Sequence, residues 1–123
     1  MCMTTQLVEP ERLSVAVATL KLLADETRLQ ILWALVHGEH SVGDLAAHVG
    51  VQPANVSQHL AKLRLGRLVR TRRDGNHVFY AAENVHVRRL VEQALFHAGH
   101  VHQGLPDHDD ATEQRRVKAT RGE

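Results

Sequence analysis

Between Ser41 and Ala82 the chain changes its apolar rhythm twice in one short stretch, and few folds accommodate that order of elements. Ser41 and Asp44 match the Ser-x-x-Asp capping pattern and predict a short helix carrying Leu45, Ala46 and Val49, which Gly50 ends. A tight link, Val51 and Gln52, leads to Pro53, whose fixed φ and missing N–H suit the first turn of a following helix. That helix, predicted over residues 53–65, places Val56, Leu60 and Leu63 at i, i+4 and i+7 and so builds one buried ridge. Two short helices joined by a turn form a helix-turn-helix. The period then falls to two: Leu68–Arg73 and His77–Ala81 are β-rich runs flanking the turn signal Asp74-Gly75-Asn76, which predicts a β-hairpin. A hairpin directly after a helix-turn-helix is a wing. The expected fold class is therefore mainly α with a small β-hairpin, a winged helix-turn-helix.

The side chains left over on these elements suit double-stranded DNA. Asn55, Gln58, His59 and Lys62 form a polar stripe on the second helix, with Gln52 just before it and Ser57 and Arg64 beside it. Amide side chains pair bidentately with adenine, a hydroxyl donates to phosphate or a base edge, and Lys62 reaches guanine or phosphate. A polar stripe alone is what any surface helix shows. The hairpin adds Arg70, Arg72 and Arg73 on one strand and Asn76 at its tip, a wing able to straddle the phosphate backbone or enter the minor groove. Net charge is only +1, but between residues 60 and 90 eight Lys and Arg stand against Asp74 and Glu83 alone. That local excess is a phosphate footprint.

At 123 residues the chain is long enough for one domain with a modest core, and a dimer interface would help it bury apolar surface. The expected organisation is a flexible lead-in over residues 1–8, a folded domain over 9–101 and a polar, His-containing flexible tail over 102–123. Pro10 opens a first helix whose Leu13, Ala16, Val17, Leu20 and Leu23 make an apolar face expected to contribute to a homodimer. Asp25 caps a second, in which Leu29, Leu32, Leu35 and Val36 repeat until Gly38, with Trp33 read as packing. The single cysteine, Cys2, excludes an internal disulfide, and the N-terminus has no signal-peptide pattern and no run spans a bilayer, so the expected compartment is the cytoplasm.

The last predicted helix, Asn84–His100, has Asn84 as its cap and Val87, Leu90, Val91, Ala94, Leu95 and Ala98 as an apolar stripe, with His86, His97 and His100 on its flank. At about 100° per residue His97 returns to within about 20° of His86, yet at about 1.5 Å per residue the two lie roughly 16 Å apart along the axis. Imidazoles on one ion each sit about 2 Å from it, so one helix cannot close such a site. His97 and His100, at i and i+3, chelate together, and a second helix running antiparallel brings its own His86 to them. The spacing predicts a symmetric dimer with two equivalent inter-subunit metal sites. His102 and His108 follow as further candidate ligands.

Leu23–Leu32 (LADETRLQIL), Val56–Tyr80 (VSQHLAKLRLGRLVRTRRDGNHVFY) and the histidine helix together resemble the ArsR/SmtB metal-sensing repressors of bacteria, over roughly residues 10–105. The resemblance implies a homodimeric winged-helix protein that sits on operator DNA, an inverted repeat, until an effector ion releases it. The histidine helix is similar to the sensor site of the subgroup with an Asp-x-His…His-x-x-[His/Glu] signature on the last helix, and to the actinobacterial nickel/cobalt sensors. His86, His97 and His100 stand at the signature's ligand positions, while Asn84 replaces its aspartate, a weaker ligand. The effector this implies is Ni(II) or Co(II), with Zn(II) a further candidate, completed by His102 and His108. The family's Cys-x-Cys site is absent, the corresponding residues being Ser41-Val42-Gly43-Asp44-Leu45. Two alternatives stand beside this: a regulator of the same family whose metal site has decayed and which answers another effector or a partner protein, and a histidine-rich metal buffer. An enzyme is not expected, since there is no glycine-rich phosphate loop, His-Glu-x-x-His or nucleophile motif.

Overall fold

The computed structural model describes residues 6–103. Five helices and one hairpin follow in the order α1 (Pro10–Leu23), α2 (Glu26–Val36), α3 (Val42–Val49), α4 (Pro53–Leu65), β1 (Val69–Asp74), β2 (His77–Ala82) and α5 (Val85–Gln103). Their boundaries are set by local chemistry. Asp25 accepts the Arg28 N–H at 2.9 Å to start α2, and Ser41 Oγ accepts the Asp44 N–H at 3.1 Å to start α3. Asn84 Oδ1 accepts the Val87 N–H at 3.0 Å to start α5. Gly50 closes α3 in the left-handed conformation at φ 75°, a position that costs other residues about 1 kcal/mol or more. Pro53 opens α4, as its spacing predicts.

Helix α2 lies at the centre of the core: α1, α3, α4 and β2 all pack on it. It therefore buries Ile31, Leu32, Ala34 and Leu35, which span more of its circumference than the single stripe of Leu29, Leu32, Leu35 and Val36 that the sequence period suggests. Leu23 of α1, Leu45 and Ala46 of α3, Val56, Leu60 and Leu63 of α4, Leu68, Val69 and Ala82 at the root of the wing, and Val87 and Val91 of α5 complete the core. The hairpin is antiparallel and pairs Val69 with Ala82 through Asp74 with His77, leaving Gly75 (φ 62°) and Asn76 as its tip. A third, one-residue strand ties it down: His40 donates to the Tyr80 carbonyl at 3.1 Å and accepts from the Tyr80 N–H at 2.8 Å.

Leu13, Val17 and Leu20 of the α1 face expected to contribute to a homodimer are 52%, 42% and 53% exposed, since no described element of the same chain covers them. Two departures from the sequence reading concern the last helix. On α5 only Val87 and Val91 of the expected stripe are buried, and Leu90 is exposed. Helix α5 also continues to Gln103, so His102, expected in the tail, lies in its last turn. By compactness the chain divides within α5, after Glu92. The unit up to Glu92 holds the core. Of the unit from Gln93, the described residues are the last turns of α5.

The end of α4 contains a glycine used for room rather than for rotation. Gly66 has φ −81°, which any residue adopts, but a Cβ there would collide with Leu22 Cδ1. The left-handed residue at this corner is instead Arg67, at φ 61°.

Candidate nucleic-acid interface and histidine helix

Helix α4 turns its apolar ridge inward and leaves Asn55, Gln58 and Lys62 exposed at i, i+3 and i+7 on its outer side, so the structure brings these three together as one face. Gln52, at the N-cap, is exposed at the head of the helix. Ser57 and Arg64 are exposed too but lie roughly 140° round the helix from that stripe. His59 is half-buried, and its Nδ1 lies 3.3 Å from Arg28 Nη1. It is thus engaged inside the protein rather than wholly presented to a groove.

On the wing, alternation sends Arg70 and Arg72 to one face of β1 and Arg73 to the other, all exposed, with Asn76 at the tip. Arg72 is the one already held. Its guanidinium makes a forked contact to Glu39, Nη2 to Oε1 at 2.8 Å and Nε to both oxygens at 3.1 Å, and its carbon lies 4.9 Å from the Phe79 ring centroid. The hydrogen bond from Arg72, then its charge and that of Arg70, hold the Glu39 carboxyl below its ordinary range. Reciprocally, the Glu39 hydrogen bond and charge keep Arg72 protonated even more firmly than usual. Arg70 and Arg73 are exposed with no such carboxylate contact among the described residues. Glu39 was invisible to sequence reasoning, because it stands thirty-three residues before its partner on the α2–α3 turn.

The candidate metal ligands are placed as follows. His86 is exposed in the first turn of α5, beyond the Asn84 cap. In the unit from Gln93, His97 and His102 are exposed and His100 is half-buried. His108 lies outside the described residues. Among the described residues no three His, Cys, Asp or Glu side chains of the one chain come together as a metal-holding group. Asn84, at the position of the signature's aspartate, accepts the Val87 N–H with its Oδ1 as the cap of α5.

Comparison with known proteins matches this geometry. The model of the bacterial regulatory protein arsR family matches residues 25–71, which run from the cap of α2 to the start of the wing. The transcriptional regulator KmtR of Mycobacterium tuberculosis is 52% identical over 101 residues, covering 82% of this chain and 78% of its own. NmtR of the same organism, also a helix-turn-helix transcriptional regulator, is 39% identical over 90 residues, covering 73% and 75%. The homodimeric winged helix-turn-helix DNA-binding domain Mb0332 of Mycobacterium bovis, solved by NMR, superposes with a TM-score of 0.73 at 30% identity over 86% of this chain and 99% of that one. With the capped helix pair and the exposed amide and lysine face inside the matched region and the arginine wing following directly on it, the chain belongs to the ArsR family of bacterial regulatory proteins and is a winged helix-turn-helix DNA-binding transcriptional regulator, not an enzyme.

Proposed function

We propose that this protein is a metal-responsive repressor that binds an inverted-repeat operator as a homodimer and leaves it when Ni(II) or Co(II), with Zn(II) as a further candidate, binds between the α5 helices of two subunits. The observation that carries the reading is what α5 leaves exposed. Before Glu92 it exposes His86 and Leu90, and after Gln93 it exposes Ala94, His97, Ala98 and Val101. Imidazoles set among uncovered apolar side chains suit a helix that meets a second copy of itself. The donors are neutral nitrogen, the chemistry that Ni(II), Co(II) and Zn(II) accept.

His86 of one subunit and His97 and His100 of the other would hold the ion, with His102 and His108 as additional donors. Such an ion would tie the two helices at a fixed spacing. The recognition helices must meet half-sites about 34 Å apart, so a dimer locked at another spacing fits the operator poorly. A coupling of about 1–3 kcal/mol, or roughly 5–150-fold in affinity, is typical of such linkage, and DNA weakens metal binding by the same factor.

Asn84 in place of the signature's aspartate favours a second reading, a regulator of the same family whose metal site has decayed and which answers another effector or a partner protein. Titration of the operator complex with nickel, cobalt and zinc salts separates the two. Release by nickel or cobalt that His86→Ala and His97→Ala each weaken by about tenfold or more supports the first reading. Release by no ion, or release indifferent to both changes, supports the second.

A further inference from the structure

The Arg28 side chain is only 13% exposed and touches three elements at once. Its Nε donates to the Leu22 carbonyl at 2.7 Å, at the end of α1. Its Nη1 lies 3.3 Å from His59 Nδ1 on α4 and 3.9 Å from Asp25 Oδ2 at the cap of α2. A guanidinium is donor-only and planar, so His59 Nδ1 must accept, which places the neutral ring's proton on Nε2, and the directions of the two hydrogen bonds are fixed relative to one another. The Leu22 carbonyl is one of the last-turn acceptors that α1 itself leaves without a partner. A few residues on, the bare Gly66 lets the end of α4 close on the side chain of the same Leu22. Helix α4 is thus held to the α1–α2 corner in its middle and at its end.

We infer that Arg28 and His59 are positioning residues which set the angle of the recognition helix on the α1–α2 corner, and that His59 acts on DNA through this contact rather than by reading a base. The inference rests on the homodimer reading above. Helix α1, whose Leu13, Val17 and Leu20 are left uncovered, then belongs to the subunit contact, and the separation of the two recognition helices is carried through the corner that Arg28 holds. Lysine cannot replace it, because a single ammonium does not present two in-plane donors toward Leu22 and His59.

The test uses the full chain and an inverted repeat selected by the wild type from a random-sequence DNA pool. Wild type, His59→Gln, His59→Phe and Arg28→Lys are titrated with that DNA, with versions carrying each single base change, and with the half-site spacing altered by one base pair. Glutamine keeps an acceptor and phenylalanine keeps only the ring. The expected result is that His59→Gln binds within about threefold of wild type, while His59→Phe and Arg28→Lys each lose about tenfold, equally at every half-site position. Both should also show a smaller penalty for the altered spacing, with non-specific binding at low salt unchanged. Thermal melts of each variant identify any that fails to fold: without His59→Phe, His59→Gln and Arg28→Lys carry the comparison, and without Arg28→Lys, the two His59 variants carry it. A loss confined to one base pair in both His59 variants, with Arg28→Lys like wild type, would overturn the inference in favour of base contact. Wild-type affinity in both His59→Phe and Arg28→Lys would overturn it outright. Sedimentation of the same samples keeps the homodimer reading separate: if that reading is wrong, the wild type itself is monomeric and indifferent to half-site spacing.

Discussion

Asp25 shows how much one side chain can be asked to do. Its carboxylate caps α2 and stands beside Arg28, and the N–H of Arg28 first, then the charge of Arg28 and the N–H of Thr27, outweigh burial and hold it below the ordinary carboxylate range. A carboxyl depressed in the folded state stabilises the fold above its unfolded pKa, near 4, and that contribution is lost as pH falls through the lower folded value. Asp25→Asn, which keeps a capping oxygen but cannot titrate, should flatten this acid limb in urea unfolding. Asp25→Ala should cost about 1 kcal/mol at neutral pH; equal acid sensitivity in wild type and Asp25→Asn would show that the limb belongs to another group. Gly66→Ala sets a Cβ against the terminal methyl of Leu22, which must turn aside, so any destabilisation is expected to disappear in a Leu22→Ala background, as a double-mutant cycle in urea would read. The caps at Asp25, Ser41, Gly50 and Asn84 were legible in the sequence because each acts within three or four residues of itself. The pairs Arg28 with His59 and Glu39 with Arg72 were not, since thirty-one and thirty-three residues separate the partners and no local pattern links them.

Among the elements, the hairpin was legible from its turn and its alternation, but the unequal standing of its arginines was not. Removing one phosphate interaction makes the slope of log affinity against log salt shallower by about 0.9. Arg70→Ala and Arg73→Ala are each expected to show that change on operator DNA, whereas Arg72→Ala should show less, because Glu39 already satisfies Arg72. Glu39→Gln should raise affinity and steepen the slope by releasing Arg72 to a phosphate; a slope identical to wild type would mean that the pair stays closed, or is irrelevant, on DNA. The same alternation explains why α4 divides its polar residues. Seven-residue spacing keeps Asn55 and Lys62 together, and Ser57 and Arg64 together, on two different sides.

For the molecule as a whole, periodicity identifies an apolar face but not what covers it. The apolar positions of α1 read from the sequence as part of a homodimer contact, and Leu13, Val17 and Leu20 do stay exposed in one chain, as does Leu90 of α5; a second copy supplies the cover in the proposed assembly. The same proposal makes the metal sites reciprocal, which leads to a test that no single-subunit site passes. If His86 of one subunit joins His97 and His100 of the other, a mixed dimer of a His86→Ala chain and a His97→Ala/His100→Ala chain contains one site with every ligand and one with none of the three. If instead each subunit binds its own ion, both sites of the mixed dimer are broken. Mixed dimers made by refolding differently tagged chains together and purified through both tags should therefore bind about one nickel ion per dimer with near wild-type affinity, while either parent homodimer binds at least about tenfold more weakly. Mixed dimers no better than their parents would place the ligands within one subunit, which the roughly 16 Å between His86 and His97 along a single helix forbids for a common ion; the proposed ligand set would then have to be abandoned.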